Sequence, residues 1–148
     1  MKMLLFVFLI PFQLIAQPFS NSEVASWKKQ AGNITIIRDH YGIPHVYGKT
    51  DADAVFGLLY AQCEDDFRRV EMNYIEKLGR LAEVNGEKDL YNDLLIRLVI
   101  DSADAIKDYN NANDTLKRIL NAFADGINYF LHKNQKIKPI LLNHFEPW

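Results

Sequence analysis

Val55, Leu59, Cys63, Phe67, Val70, Tyr74, Leu78 and Leu81 recur at intervals of three or four residues. At 3.6 residues per turn that spacing keeps all eight on one face of a helix, one above the other. A stripe of this length commits the middle of the chain to an amphipathic helix lying against a core. Thr50 is placed to cap it. Asp51 and Asp53 stand in the first turn, where carboxylates favour the positive end of the helix dipole, and Asn85-Gly86 stops the pattern. The expected helix runs from Asp51 to near Val84, with a break near Glu64–Asp66.

Two further stripes follow. Tyr91, Leu95, Leu98, Ser102, Ile106 and Tyr109 share one face of a second helix expected from Asp89 to near Tyr109. Leu116, Leu120, Phe123, Ile127, Phe130 and Leu131 do the same for a third, from Asp114 to near Lys133, with Asn110–Asn113 as the loop between them. Upstream, the β-branched run Ile34-Thr35-Ile36-Ile37 and the run Ile43-Pro44-His45-Val46-Tyr47 flank a His40-Tyr41-Gly42 turn. They read as a β-hairpin pairing Ile34–Arg38 with Ile43–Gly48. Pro44 has no N–H to give to a ladder, so it belongs at a strand start or edge. Gly42 supplies a turn conformation that a Cβ would penalise. Residues 17–33 are polar and mixed, with a short helix expected from Val24 to Lys29, and Pro139 and Pro147 mark an extended tail. The fold class is therefore α+β, a mainly helical segment with an N-terminal β-hairpin.

A two-stranded hairpin is marginal by itself and wants further strands beside it. The sequence also stops on an aromatic, in His144-Phe145-Glu146-Pro147-Trp148. Hairpin and helices over residues 34–148 are thus expected to be a truncated part of a larger fold.

The first sixteen residues read as a signal peptide. Met1-Lys2-Met3 is a short cationic start, Leu4 to Ile15 is apolar apart from Pro11 and Gln13, and Ala16 puts a small residue before Gln17. The run falls short of the roughly 20 apolar residues that a membrane-spanning helix needs, which favours cleavage over an uncleaved anchor. No cysteine stands near the cleavage point to carry a lipid. Removing Lys2 with residues 1–16 leaves 16 of the 17 Lys+Arg against 19 Asp+Glu. The expected product is a mildly acidic exported protein, periplasmic or secreted, with no stable membrane insertion. That charge offers no basic face for nucleic acid.

Side chains able to do chemistry are scattered. Cys63 is alone, so no intrachain disulfide can form, and its place on the helical stripe makes it a small buried hydrophobe rather than a reactive thiol. His40, His45, His132 and His144 match no zinc spacing. Glu64-Asp65-Asp66 point in successive directions around a helix, which suits a solvated acidic face better than a cation site. Asn33-Ile34-Thr35 and Asn113-Asp114-Thr115 are glycosylation sequons with meaning only in a eukaryotic secretory pathway. There is no glycine-rich phosphate loop, no nucleophile elbow and no Ser-His-Asp set with local support. Arg80 and Glu83 are spaced to pair on a helix, an exposed pair being worth about 0.2–0.5 kcal/mol. His45 and Tyr47 are more simply packing or hydrogen-bonding residues than substrate contacts. No catalytic, cofactor-binding or metal-binding residue is assigned within the chain, and no cofactor is expected.

The most informative run is Arg38-Asp39-His40-Tyr41-Gly42-Ile43-Pro44-His45-Val46-Tyr47-Gly48-Lys49-Thr50. It continues through Asp53, Phe56-Gly57, Tyr60-Ala61-Gln62 and Glu64-Asp65 to Gly79-Arg80-Leu81-Ala82-Glu83. In order and spacing this resembles the start of the α-chain in the penicillin amidase family of N-terminal-nucleophile hydrolases, which includes penicillin, cephalosporin, acyl-homoserine-lactone and lipopeptide acylases. The resemblance is strongest over Ile34 to Glu83 and weaker through Asp125-Gly126-Ile127-Asn128 to Glu146-Pro147-Trp148. Leu59 stands where many members have a second Gly, Cys63 where Ala is usual, and Asp66 where Arg is common. These departures bear on the acyl substrate more than on the family.

The resemblance implies an exported precursor that cuts itself into α- and β-chains within an αββα sandwich. It implies a nucleophile at the new N-terminus of the β-chain, usually Ser, with its own α-amino group as base, since the unperturbed amine titrates at about 7.7–8.0. It also implies an oxyanion site built from the β-chain. All of these lie beyond Trp148, so the implied partners are the β-chain of the same precursor and a small N-acyl amide. This segment alone is expected to be inactive and to expose apolar surface meant for the β-chain. The rival reading is a non-catalytic helical binding or structural protein of the cell envelope.

Overall fold

Two long helices that pack together, one in the middle of the chain and one toward its C-terminal end, organise everything else. The computed structural model describes residues 19–148; the expected signal peptide, residues 1–16, lies outside them. The elements are α1 (Asn21–Ala31), β1 (Ile34–Arg38), β2 (Pro44–Gly48), α2 (Asp51–Lys77), α3 (Leu81–Asn85), a 3-10 turn (Glu87–Asp89), α4 (Leu90–Val99), α5 (Ser102–Asn111) and α6 (Asp114–Lys133). The structure is α+β, as expected.

α2 packs along α6, and the extended tail after α6 returns over both. Phe56, Leu59, Cys63, Phe67 and Ile75 of α2 are buried against Ala122, Ile127, Phe130 and Leu131 of α6, and Leu142 and Phe145 of the tail close the core. The aromatic rings interlock, Phe67 stacking on Phe130 at 5.8 Å and meeting Phe145 edge-on at 6.1 Å. Gly126 lets the two helices approach, since a Cβ there would stand 2.5 Å from Phe56 O. α1 is held by Trp27, 1% exposed, with Phe19 edge-on to it at 5.1 Å. Its start carries a complete capping box, Ser20 with Glu23.

The hairpin pairs antiparallel from Ile34↔Gly48 to Arg38↔Pro44, so Pro44 does begin its strand. Gly42 has φ 83°, the left-handed region that glycine enters without steric cost. One face of the hairpin lies on α2 at Gly57, where a Cβ would meet Val46 Cγ1 at 2.6 Å and Ile34 Cγ2 at 2.7 Å. The other face is open, with Ile37, Ile43 and Tyr47 more than half exposed.

The expected helix boundaries need three corrections. The first long helix ends at Lys77 rather than near Val84, because Gly79 takes φ 61° and the chain restarts as the separate α3. The break expected near Glu64–Asp66 is present, with Asp66 at φ −159°, ψ 79°. The second long helix is two, α4 and α5, split where Asp101 leaves helical geometry and its carboxylate caps Ala103 N. The face that was expected to bury Tyr91, Leu95 and Leu98 leaves them 85%, 59% and 83% exposed. The short N-terminal helix, for its part, extends beyond Val24 to Lys29 at both ends.

Candidate functional site

Arg38, at the end of β1, ties the hairpin to the kink of α2. Its guanidinium lies 3.0 Å from Glu64 Oε2 and 2.8 Å from Asp65 Oδ1, and donates to Gly42 O at 2.8 Å. The Glu64 hydrogen bond is the main reason its pKa is raised above the ordinary value. Asp39 shapes the turn by accepting from Tyr41 N and Ile43 N, both at 2.9 Å, and the Ile43 bond chiefly holds its carboxyl below the usual range. Glu64 and Asp65 are therefore partners of Arg38 rather than a merely solvated acidic face. Asp66 sits at the kink and accepts from Arg69 N at 3.0 Å, restarting the helix.

The second cluster fixes α4. Asp93 Oδ1 and Oδ2 accept from Leu81 N and Ala82 N at 2.9 and 2.7 Å, capping α3 from outside. Arg97 Nε donates to Gly79 O at 2.9 Å. Gly79 is needed twice here, for its positive φ and because a Cβ would stand 2.9 Å from both Arg97 Cγ and Asp93 O. Beside it, Arg80 and Glu83 form the expected pair, bidentate at 2.6 and 2.7 Å.

The tail is held by two buried polar side chains. Glu71, 1% exposed, accepts from three successive backbone amides, Ile140, Leu141 and Leu142, at 2.8–3.1 Å. Asn128, equally buried, exchanges a pair of bonds with Phe145, 2.8 Å to its carbonyl and 2.9 Å from its N–H. A third tie joins the tail to α1, His144 Nε2 lying 3.1 Å from Glu23 Oε1. His144 Nδ1 is 3.1 Å from Glu146 Oε1 but out of line for a hydrogen bond, and stays unpaired. Burial raises the Asp125 carboxyl above its ordinary pKa, with Trp27 opposing the shift.

Between α2, α5, α6 and the tail lies a cleft of about 650 Å³, floored by Leu120, Phe123, Leu142 and Phe145 and reaching Ile100 and Trp148. Lys77, Arg80 and Arg97 stand among its lining residues. No serine–histidine or cysteine–histidine hydrogen bond occurs among the described residues. Ser20, whose hydroxyl donates to Glu23 at 2.6 Å, is committed to the capping box. Cys63 is 2% exposed and burial pushes its thiol up to about 12, far from a thiolate at neutral pH. His45 is exposed with Nε2 3.5 Å from Asp39 Oδ2, and Tyr47 is 61% exposed on the open face. Neither lines the cleft. The arrangement can position polypeptide; it does not assemble a nucleophile and its base.

Glu71 and Asp93 were not singled out from the sequence. Glu71 did leave a signal, lying four residues from both Phe67 and Ile75 on the apolar stripe, where a charge must find partners. Asp93 left none before the fold brought it twelve residues back to Leu81.

The penicillin amidase family model matches residues 33–148, nearly the whole described chain. The chain belongs to the penicillin amidase family. It is 33% identical over 106 residues to the acyl-homoserine lactone acylase QuiP of Pseudomonas syringae pv. tomato, covering 72% of this chain and 13% of that relative. To the penicillin G acylase of Escherichia coli it is 31% identical over 107 residues, covering 72% of this chain and 12% of that one. Among solved structures, the thermostable penicillin G acylase from Alcaligenes faecalis superimposes with a TM-score of 0.63 at 25% identity, over 74% of this chain and 57% of that chain. This member of the family thus spans roughly one-eighth of the length of those two relatives. Its ties among hairpin, α2, α3 and α4 run through motif residues of the family resemblance, Arg38, Asp39, Gly57, Glu64, Asp65 and Gly79 among them.

Proposed function

We propose that the chain is the N-terminal portion of an exported acylase precursor that hydrolyses the amide bond of an N-acyl substrate. The observation that carries this reading is the family match over residues 33–148, together with relatives that are acyl-homoserine lactone and penicillin acylases. The hairpin, the helices and the tail of this portion supply scaffold. The nucleophile and oxyanion donors lie in polypeptide after Trp148, which self-cleavage of the precursor separates as a β-chain. Residues 1–16 are its signal peptide, and the mature protein works in the periplasm or outside the cell.

The test is to express the whole gene product and assay it on phenylacetyl amides, long-chain acyl amides and acyl-homoserine lactones. Release of the free acid, with two chains in the purified product and the first beginning at Gln17, is the expected result. A single uncleaved chain that releases no acid from any of these substrates would overturn the reading in favour of a non-catalytic envelope protein.

A further inference from the structure

α4 is built inside out. Its buried residue is Asp93, 5% exposed, while Leu90, Tyr91, Leu94, Leu95, Leu98 and Val99 are 44–85% exposed. Successive helical residues turn by about 100°, so these six fall within one half of the helix circumference. Asp93 and Arg97 occupy the other half, and their bonds to Leu81 N, Ala82 N and Gly79 O fix the helix in place. The half that carries Asp93 and Arg97, shared with Asn92 and the partly buried Ile96, faces this chain, and the six-residue apolar half faces away. A contiguous apolar face of that kind marks an interaction surface.

We infer that the outward face of α4, with the adjoining cleft, is the seat of an apolar stretch of the same precursor that follows Trp148. The inference rests on the reading of the chain as the N-terminal portion of a longer acylase. Three observations select that occupant. The relatives are about seven to eight times longer than the stretch matched here, which spans 12–15% of them. Trp148 lines the cleft together with Arg97 and Ile100, so polypeptide leaving Trp148 starts beside α4. The outward half of α4 carries no charged side chain, so its occupant is an apolar surface and not a polar or ionic one.

Thiol labelling in the full-length precursor tests the occupant without requiring hydrolysis. Leu95→Cys and Leu98→Cys are placed separately on α4, and Lys28→Cys on the exposed side of α1 serves as reference. The native Cys63 is buried and adds no fast-labelling site to this portion. Peptide mass locates the label after a pulse of maleimide. The expected result is labelling of both α4 positions about 100-fold or more slower than at Lys28→Cys, unchanged on dilution, because reaction then waits for local opening. Labelling as fast as the reference shows a free face and overturns the inference. Protection lost on dilution identifies a second copy as the occupant and overturns it equally. Should either variant fail to fold, amide exchange along residues 90–99 of the unmodified precursor decides the same question: slow exchange throughout supports a covered helix, fast exchange refutes it. A precursor that protects α4 yet hydrolyses no acyl amide refutes the acylase activity while leaving the docking in place.

Discussion

α2 and α4 carry apolar residues at the same helical spacing, yet one turns them inward and the other outward. On α2 the stripe meets α6 and the tail, and Phe56, Leu59, Cys63, Phe67 and Ile75 are each under 8% exposed. On α4 the contact with the chain is made by Asp93 and Arg97, and the leucines look out. Periodicity reports that a helix has an apolar face. It does not report whether the chain's own core or some other surface receives that face, because both cases bury the same residues in the finished protein.

The largest effect is expected where the two buried sets differ most, in the packed one. Phe145→Ala removes the ring that closes the core against Phe67 and Tyr74, and truncation of a buried Phe typically costs about 3–5 kcal/mol. Urea denaturation of the whole protein, followed by amide exchange in α2 and α6, measures it. A loss below 1 kcal/mol would show that the tail is not part of the core.

Next comes the polar counterpart. Glu71→Ala leaves three buried or half-buried amides at Ile140–Leu142 without an acceptor, and the expected loss is about 3 kcal/mol. Glu71→Gln retains one acceptor oxygen and should lose about half as much. Equal losses for the two variants would mean that the intact carboxylate, and not side-chain volume, holds the tail, whereas no loss in Glu71→Gln would mean that packing volume and one acceptor oxygen suffice.

Leu95→Ala on α4 sharpens the comparison directly. With the face covered as inferred, the whole protein should lose about 2–3 kcal/mol, in the range of a core leucine. An isolated exposed leucine would change stability by no more than about 0.5 kcal/mol. The denaturation midpoint separates these cases.

How far the sequence spoke follows from the same contrast. The hairpin, its Gly42 turn, the Pro44 start and the α2 kink were all legible because each rests on local chemistry: β-branched runs, a glycine, a missing N–H, a patch of acids. The division of α4 from α5 was missed because the apolar stripe continues through Asp101-Ser102, and the cap that breaks it is a short polar pair inside a good pattern. The sites at Glu71 and Asp93 were hidden for a different reason. Their partners are backbone amides 69–71 and 11–12 residues away, and no local spacing encodes such a meeting. Family membership was legible through motif order, and the structure shows what several of those motif residues do: Arg38, Glu64 and Asp65 bind hairpin to helix, and Gly57 lets them touch.

The smallest expected effect lies at the hairpin turn, beside an open face that, like the outward face of α4, leaves apolar residues exposed. Asp39 is held below its ordinary pKa first by the Ile43 amide, then by the Tyr41 amide, with His45 contributing less and partial desolvation opposing. A carboxyl lowered on folding contributes stability that is present above its unfolded pKa, the ordinary 3.8, and is lost as pH falls through the folded value. The turn should therefore be indifferent to pH through the neutral range and loosen only in acid. The amide chemical shifts of Tyr41 and Ile43 should move with a midpoint below 3.8, the ordinary aspartate value. In Asp39→Asn that titration should vanish, and in His45→Gln the midpoint should barely change, since the two backbone amides remain. A midpoint near neutrality would transfer the control to His45 and make the turn a histidine-dependent element. A midpoint at or above 3.8 would show that the amides do not hold the carboxylate, and that the hairpin keeps its turn by Gly42 and strand pairing alone.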